Sequence, residues 1–287
     1  MKTLFTRTFF LTLAVYVFAS CTGDPLVKPI KEGIDAQNYE AAIVAADSAL
    51  LTDPTNAMAL YYRGLAMNMK AGATDDITVR EVLYSEMRSN LADARTAFAA
   101  MEKAPAEAEQ VNNIILNAWG REHNKAIEYA LDDSVMATVQ NPIEYSIQHL
   151  VNATTANPDS TLSYDVLAQV YYMNADYQGA AAAMAKVIEL KNPGEASEYD
   201  RYASYNFLMG KPDIAGQKMG AAANDGSAAA SSEYKNKSAE LRAGGEVGGI
   251  GNWWGEVSGK PAYAMLRRGA LPVEDEAKVA QLLAGDD

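Results

Sequence analysis

Residues 161–190 read TLSYDVLAQVYYMNADYQGAAAAMAKVIEL, and this stretch decides the fold. Tyr164, Leu167, Ala168 and Tyr171 recur at steps of three and four, the period that brings side chains to one face of a helix. After a short turn the period returns in Tyr177, Ala180, Met184 and Val187. Two helices joined by a turn are expected. Residues 38–56 (NYEAAIVAADSALLTDPTN) repeat the second half of that arrangement, with Tyr39, Ala42, Ala46, Ala49 and Leu50 at helical spacing until Asp53-Pro54 stops the helix.

The register continues on both sides. A unit beginning at Ala57 places Leu60, Gly64 and Met67 where a bulky, a small and a bulky residue are needed. Ala153 and Pro158 close a helix just before Thr161. A further unit from Ala196 contributes Tyr199, Tyr202, Ala203, Ala215, Met219 and Ala222, after one extra residue near Pro193-Gly194. Its Pro212 stands at the start of a second helix, where proline is tolerated.

These residues resemble the tetratricopeptide (TPR) repeat, a unit of roughly 34 residues. In that family small residues let two antiparallel helices approach, an aromatic fills the gap between hairpins and a proline turns the chain into the next unit. The resemblance covers about residues 33–223, is specific in the two stretches quoted and only permissive between them. It implies an all-α, TPR-like antiparallel helix-hairpin solenoid, a right-handed superhelix with an irregular middle and a helical, Gly-rich C-terminal cap.

The middle is harder to phase. Residues 73–85 read as an insertion, after which Ala94, Phe98 and Met101 before Pro105 complete the unit begun at Ala57. Residues 106–140 hold enough helix for two segments, with Trp119-Gly120 as the joint. Placing Ala126 on a second helix conflicts with the phase set by Ala153 and Pro158, so one helix here is irregular or additional.

In the family the first helices line a concave surface. The resemblance assigns to it Met58, Tyr61, Leu65 and Asn68, then Leu162, Asp165, Gln169 and Tyr172, then Ser197, Asp200, Ser204 and Phe207. This apolar and aromatic groove with a few acids and amides is the expected partner site. It carries no lysine or arginine, which argues against a peptide's terminal carboxylate as ligand.

The N-terminus predicts export. Lys2 and Arg7 precede an apolar core at residues 9–18, and Phe18-Ala19-Ser20-Cys21 follows. Ten apolar residues are too few to span a bilayer. The small residues before the chain's only cysteine resemble a bacterial lipobox, although Phe18 replaces the preferred leucine; lipidation would fall on Cys21. Residues 1–20 are read as signal, 21–32 as tether, 33–223 as repeat domain. Cleavage would move the formal charge from -13 to -15, an acidic body that repels nucleic acid and anionic lipid.

Residues 224–260 are rich in Gly, Ala and Ser with one short helix, and 261–287 read as a helical cap. Trp253 and Trp254 are read as buried against the solenoid end rather than as a recognition patch. Gly244, Gly245, Gly248, Gly249 and Gly251 lack the strand and the Lys-Ser pair of a phosphate loop.

Catalytic motifs and metal-ligand spacing are missing from the sequence, and no cofactor is implied. His149 reads as an interhelical packing residue and His123 as a solvent-facing turn residue. The pairs Asp75-Asp76 and Asp132-Asp133 read as surface or capping groups. The expected function is a non-enzymatic, lipid-anchored scaffold of a bacterial envelope complex, holding a protein or peptide in its groove. Thr22 after the cysteine resembles an outer-membrane address facing the periplasm. The alternative is a lipoprotein that binds a solute or small hydrophobic ligand for a transport system.

Overall fold

A computed structural model describes residues 24–192, 194, 196–209 and 211. Among them the secondary structure is helical: α1 (Lys28–Asp35), α2 (Tyr39–Thr52), α3 (Ala57–Ala73), α4 (Arg80–Ala99), α5 (Glu107–Leu131), α6 (Asp133–Thr138), α7 (Pro142–Ala156), α8 (Thr161–Met173), α9 (Tyr177–Lys191) and α10 (Ala196–Leu208). Polar residues set the starts. Asn38, Asn56, Ser160 and Asp176 each accept a hydrogen bond from the backbone N–H three residues on, satisfying a donor that the first turn cannot.

Helices pair in chain order as α1 with α2, α3 with α4, α5 with α7 and α8 with α9, and α10 packs on α9. The pairs run antiparallel. In the third, His149 meets Glu122 and the Ser146 hydroxyl donates to the Ala126 carbonyl at 2.8 Å, so α7 descends as α5 ascends. The architecture is therefore a TPR-like array of helix hairpins, read directly from which helices pair. Tyr164, Leu167, Ala168, Ala180, Met184 and Val187 all stand in or against the core of α8–α10.

Four expectations need correction. The insertion is shorter than residues 73–85, because α4 already begins at Arg80 and buries Tyr84. Ala94 and Phe98 are buried as expected, but Met101 lies past the helix and is 42% exposed. Trp119-Gly120 is no joint: α5 runs through it for 25 residues, with Gly120 buried. The tether gives way to fold by Val27, since Val27 and Ile30 are buried against α2 and α3.

Helix α5 also explains the phasing conflict. It is the first helix of the third hairpin, so Ala126 does not sit on a second helix; α6 and the turn after it are the additional element before α7. At 1.5 Å per residue α5 is about 37 Å long, and it joins two apolar clusters. Val111, Ile114 and Ala118 belong to one with α1–α4, while Ala126 and Ala130 belong to the other with α7–α10. The buried polar residues Glu122 and His123 lie between them.

The hairpin turns carry backbone strain at equivalent places. Gln37 (φ 55°) and Ala175 (φ 56°) each lie two residues before a second helix, in the left-handed region that costs an L-residue about 1–2 kcal/mol. Ala175→Gly is expected to raise stability by about 0.5–1 kcal/mol, relief of strain exceeding glycine's entropy cost. Thermal melting checks this, and an unchanged or lower Tm would show the turn to be unstrained.

Candidate functional site

Two clefts adjoin along α5. The first, about 520 Å³, has a wall of α3 carrying Tyr61, Leu65, Asn68 and Met69, an edge at Tyr39, and an opposite wall of Gln110, Asn113, Asn117 and Arg121 from α5. The α5 residues are spaced by three and four, so one helical face presents a row of amides to the cleft. The row is tied internally: Asn113 Nδ2 donates to Gln110 Oε1 at 2.9 Å and Asn68 Nδ2 reaches Asn117 Oδ1 at 3.4 Å. Tyr61 packs edge-on to Tyr62 at 5.0 Å and lies 6.1 Å from Phe98. Burial, with Glu107 adding, pushes its phenol up to about 12, so it remains a neutral donor.

The second cleft, about 750 Å³, is lined by Asp75, Ile77, Arg80, Lys125, Glu128, Tyr129, Tyr145 and His149 among others, and it shares Gly72 and Arg121 with the first. Tyr129 stacks on Tyr145 at 5.3 Å and on His149 at 5.4 Å, forming an aromatic wall. Arg121 fits the junction because Gly72 has no side chain: a Cβ there would lie 3.1 Å from Arg121 Nη1.

Behind the second cleft is a buried carboxylate. Glu122, fully buried, accepts from Tyr84 Oη at 2.6 Å and Arg80 Nη1 at 3.1 Å through Oε1, and pairs through Oε2 with His149 Nδ1 at 2.6 Å. Arg80 also donates to the Thr74 carbonyl at 2.6 Å. Burial acts to raise the Glu122 carboxyl, but hydrogen bonds from His149 and Tyr84 and the charges of His149 and Arg80 outweigh it and hold it below the ordinary range. Burial raises the Tyr84 phenol, which keeps its proton and donates to Glu122.

Several residues take positions that sequence reasoning missed. His123 is not solvent-facing: it is fully buried on α5, its Nδ1 2.9 Å from the Ser163 hydroxyl, which also accepts from Trp119 Nε1 at 2.7 Å. His149 is interhelical as expected, and it also lines the second cleft. Asp132 caps α6 by accepting from the Ser134 and Val135 amides, and Asp76 accepts from Thr78, so both have local structural partners.

Of the assigned groove residues, Tyr61, Leu65 and Asn68 line the first cleft, while Met58 packs on the apolar core. None of the α8 or α10 residues lines either cleft. Asp165 pairs with Arg201 at 2.5 Å, and Tyr172 lies 6.0 Å from Tyr177 and 5.8 Å from Tyr205, which makes both part of the seam between α8, α9 and α10. Gln169 and Ser204 are buried and Leu162 is half-buried. The side chains of Ser197, Asp200 and Phe207 lie outside the described residues, as do Cys21, Trp253 and Trp254. The groove was expected to lack basic residues, but α5 brings Arg121 into it.

Among the described residues no group of three His, Cys, Asp or Glu could hold a metal ion, and no helix is long and apolar enough to cross a membrane. No protein-family model and no curated protein matches the sequence. Among solved structures the chain is similar to TTC0263, a thermophilic TPR protein in Thermus thermophilus, at 15% identity over 76% of this chain and 98% of that one, with a TM-score of 0.30. It is also similar to the MamA protein, at 17% identity over 75% and 92% respectively, with a TM-score of 0.28. The paired helices themselves define the class, a TPR-like helical array.

Proposed function

We propose that the protein is a lipid-anchored binding scaffold of the bacterial cell envelope, which takes an extended segment of a partner protein into the cleft between α3 and α5. The observation that carries this reading is the facing of two rows: Tyr61, Leu65 and Asn68 on one side, Gln110, Asn113 and Asn117 on the other. Side-chain amides offer donor and acceptor together, so they can pair with the backbone of an extended chain whatever its sequence. The tyrosine and leucine supply apolar contact, and stacked hairpins present such concave surfaces generally. The clefts are open rather than enclosed, which favours a segment of chain over a sequestered solute. Anchoring rests on the charged start, the short apolar core and Ala19-Ser20-Cys21, and Thr22 supports the outer membrane with the body in the periplasm.

The test is cross-linked capture from native membranes, comparing the unaltered protein with Gln110→Ala/Asn113→Ala. Gln110 is exposed and Asn113 half-buried, so the double variant should fold, whereas Tyr61→Ala would damage the packing against Phe98. A partner recovered in stoichiometric amount and lost with the double variant is expected. Equal recovery by both proteins would overturn the cleft assignment. Cys21→Ser is expected to release the protein from the membrane fraction, and retention there would overturn the lipid anchor.

A further inference from the structure

The two clefts meet at Arg121, and its charge is poorly matched by its surroundings. Its hydrogen bonds all go to neutral acceptors: Asn117 Oδ1 at 3.1 Å, the Asn68 carbonyl at 3.3 Å, Asn68 Oδ1 at 2.8 Å and Tyr84 Oη at 2.9 Å. Among the described residues the one carboxylate within ion-pair range is Glu122, 3.9 Å from Arg121 Nε. That carboxylate is already held at shorter distance by Arg80 and His149. Arg121 Nε, buried, has no hydrogen-bond partner among the described residues. The guanidinium is thus aimed and fixed by groups that do not neutralise it, and its side chain is 34% exposed at the junction.

We infer that Arg121 anchors an acidic side chain of the bound segment, and that an aromatic side chain of the same segment lies against Tyr129 and Tyr145. The inference rests on the scaffold reading and adds the sequence preference of the partner. A fixed guanidinium suits a carboxylate, and with Nη2 engaged by Asn68 and Tyr84 and Nε buried, the second hydrogen of Nη1 is the donor left to hold it. The stacked tyrosines suit a ring, and Tyr145 is 42% exposed. Eight residues of α5 separate Arg121 from Tyr129, about 12 Å along the axis, which an extended chain covers in roughly three or four residues. The partner motif is therefore an Asp or Glu with an aromatic residue three or four positions away. The full sequence carries a net charge of -13, so a single acid is favoured and an acidic run would be repelled.

The experiment pans a positional-scanning library of N-acetylated, C-amidated decapeptides on the purified mature full chain, so that side chains alone supply charge. The expected selection is an acid and an aromatic residue at the stated separation. Arg121→Gln should weaken the selected peptide about tenfold or more, Arg121→Lys should restore part of it, and Tyr145→Ala should remove the aromatic preference alone. Tyr145 is at the surface, so that variant remains informative even if loss of Arg121 disturbs Asn68 and Tyr84. Peptides selected without an acidic position, or bound equally by a folded Arg121→Gln, would overturn the inference and leave the scaffold reading standing. Retention of no peptide by the unaltered protein would overturn both.

Discussion

Glu122→Ala is expected to lower the unfolding free energy by about 3–5 kcal/mol, the cost of removing one partner from a buried charged cluster. The variant strips Tyr84 and His149 of the carboxylate they bond and leaves Arg80, only 14% exposed, with the Thr74 carbonyl as its acceptor. Because α4, α5 and α7 each contribute a member, the loss loosens three helices together. Glu122→Gln keeps the shape and one acceptor and should cost less. The pH dependence has a definite sign. A carboxyl held below its unfolded value near 4.5 contributes its full stabilisation above that value and loses it as pH falls through the folded value. Urea unfolding of the unaltered protein and Glu122→Gln should therefore differ most at pH 7, the gap closing below pH 4.5. A cost under about 1 kcal/mol for Glu122→Ala would mean that the cluster is not closed around this carboxylate.

The same helix shows where sequence reading stops. The pairs α8 and α9, and α2 with its stop at Asp53, are legible because their small and bulky residues recur at helical spacing within one short stretch. Helix α5 breaks that pattern with Asn117, Arg121, Glu122 and His123, which look like a solvated face or a turn when read locally. They are buried or half-buried because their partners are distant in sequence: Tyr84 lies 38 residues from Glu122, His149 lies 27, and Ser163 lies 40 from His123. No local period encodes such pairings. For the same reason one wall of the cleft, Tyr61, Leu65 and Asn68, follows from register, while the facing wall and Arg121 do not. The spacing of Gln110, Asn113 and Asn117 was the available signal; placing it on a concave face required knowing that α5 is a first helix.

Gly64 and Leu91 offer a second test, in which one substitution should reverse its sign. They mark a close approach of α3 and α4: a Cβ on Gly64 would stand 2.8 Å from Leu91 Cγ, 2.9 Å from its Cδ2 and 3.3 Å from the Met87 carbonyl oxygen. Leu91 is fully buried, so Leu91→Ala is expected to cost about 2–5 kcal/mol through lost transfer energy and the cavity left behind. Gly64→Ala alone gains about 1 kcal/mol of helix propensity but meets overpacking of about 1–3 kcal/mol, for a net loss. With Leu91 already Ala, the two closest atoms are gone and the new methyl group enters vacated space, so the propensity gain is no longer opposed. Gly64→Ala should then stabilise. A double-mutant cycle by urea unfolding reads this as a coupling of at least about 1 kcal/mol. Equal destabilisation by Gly64→Ala in both backgrounds would place the tight contact elsewhere, on the Met87 backbone rather than the leucine, and the small residue at this position would then be required by the helices' main chains themselves.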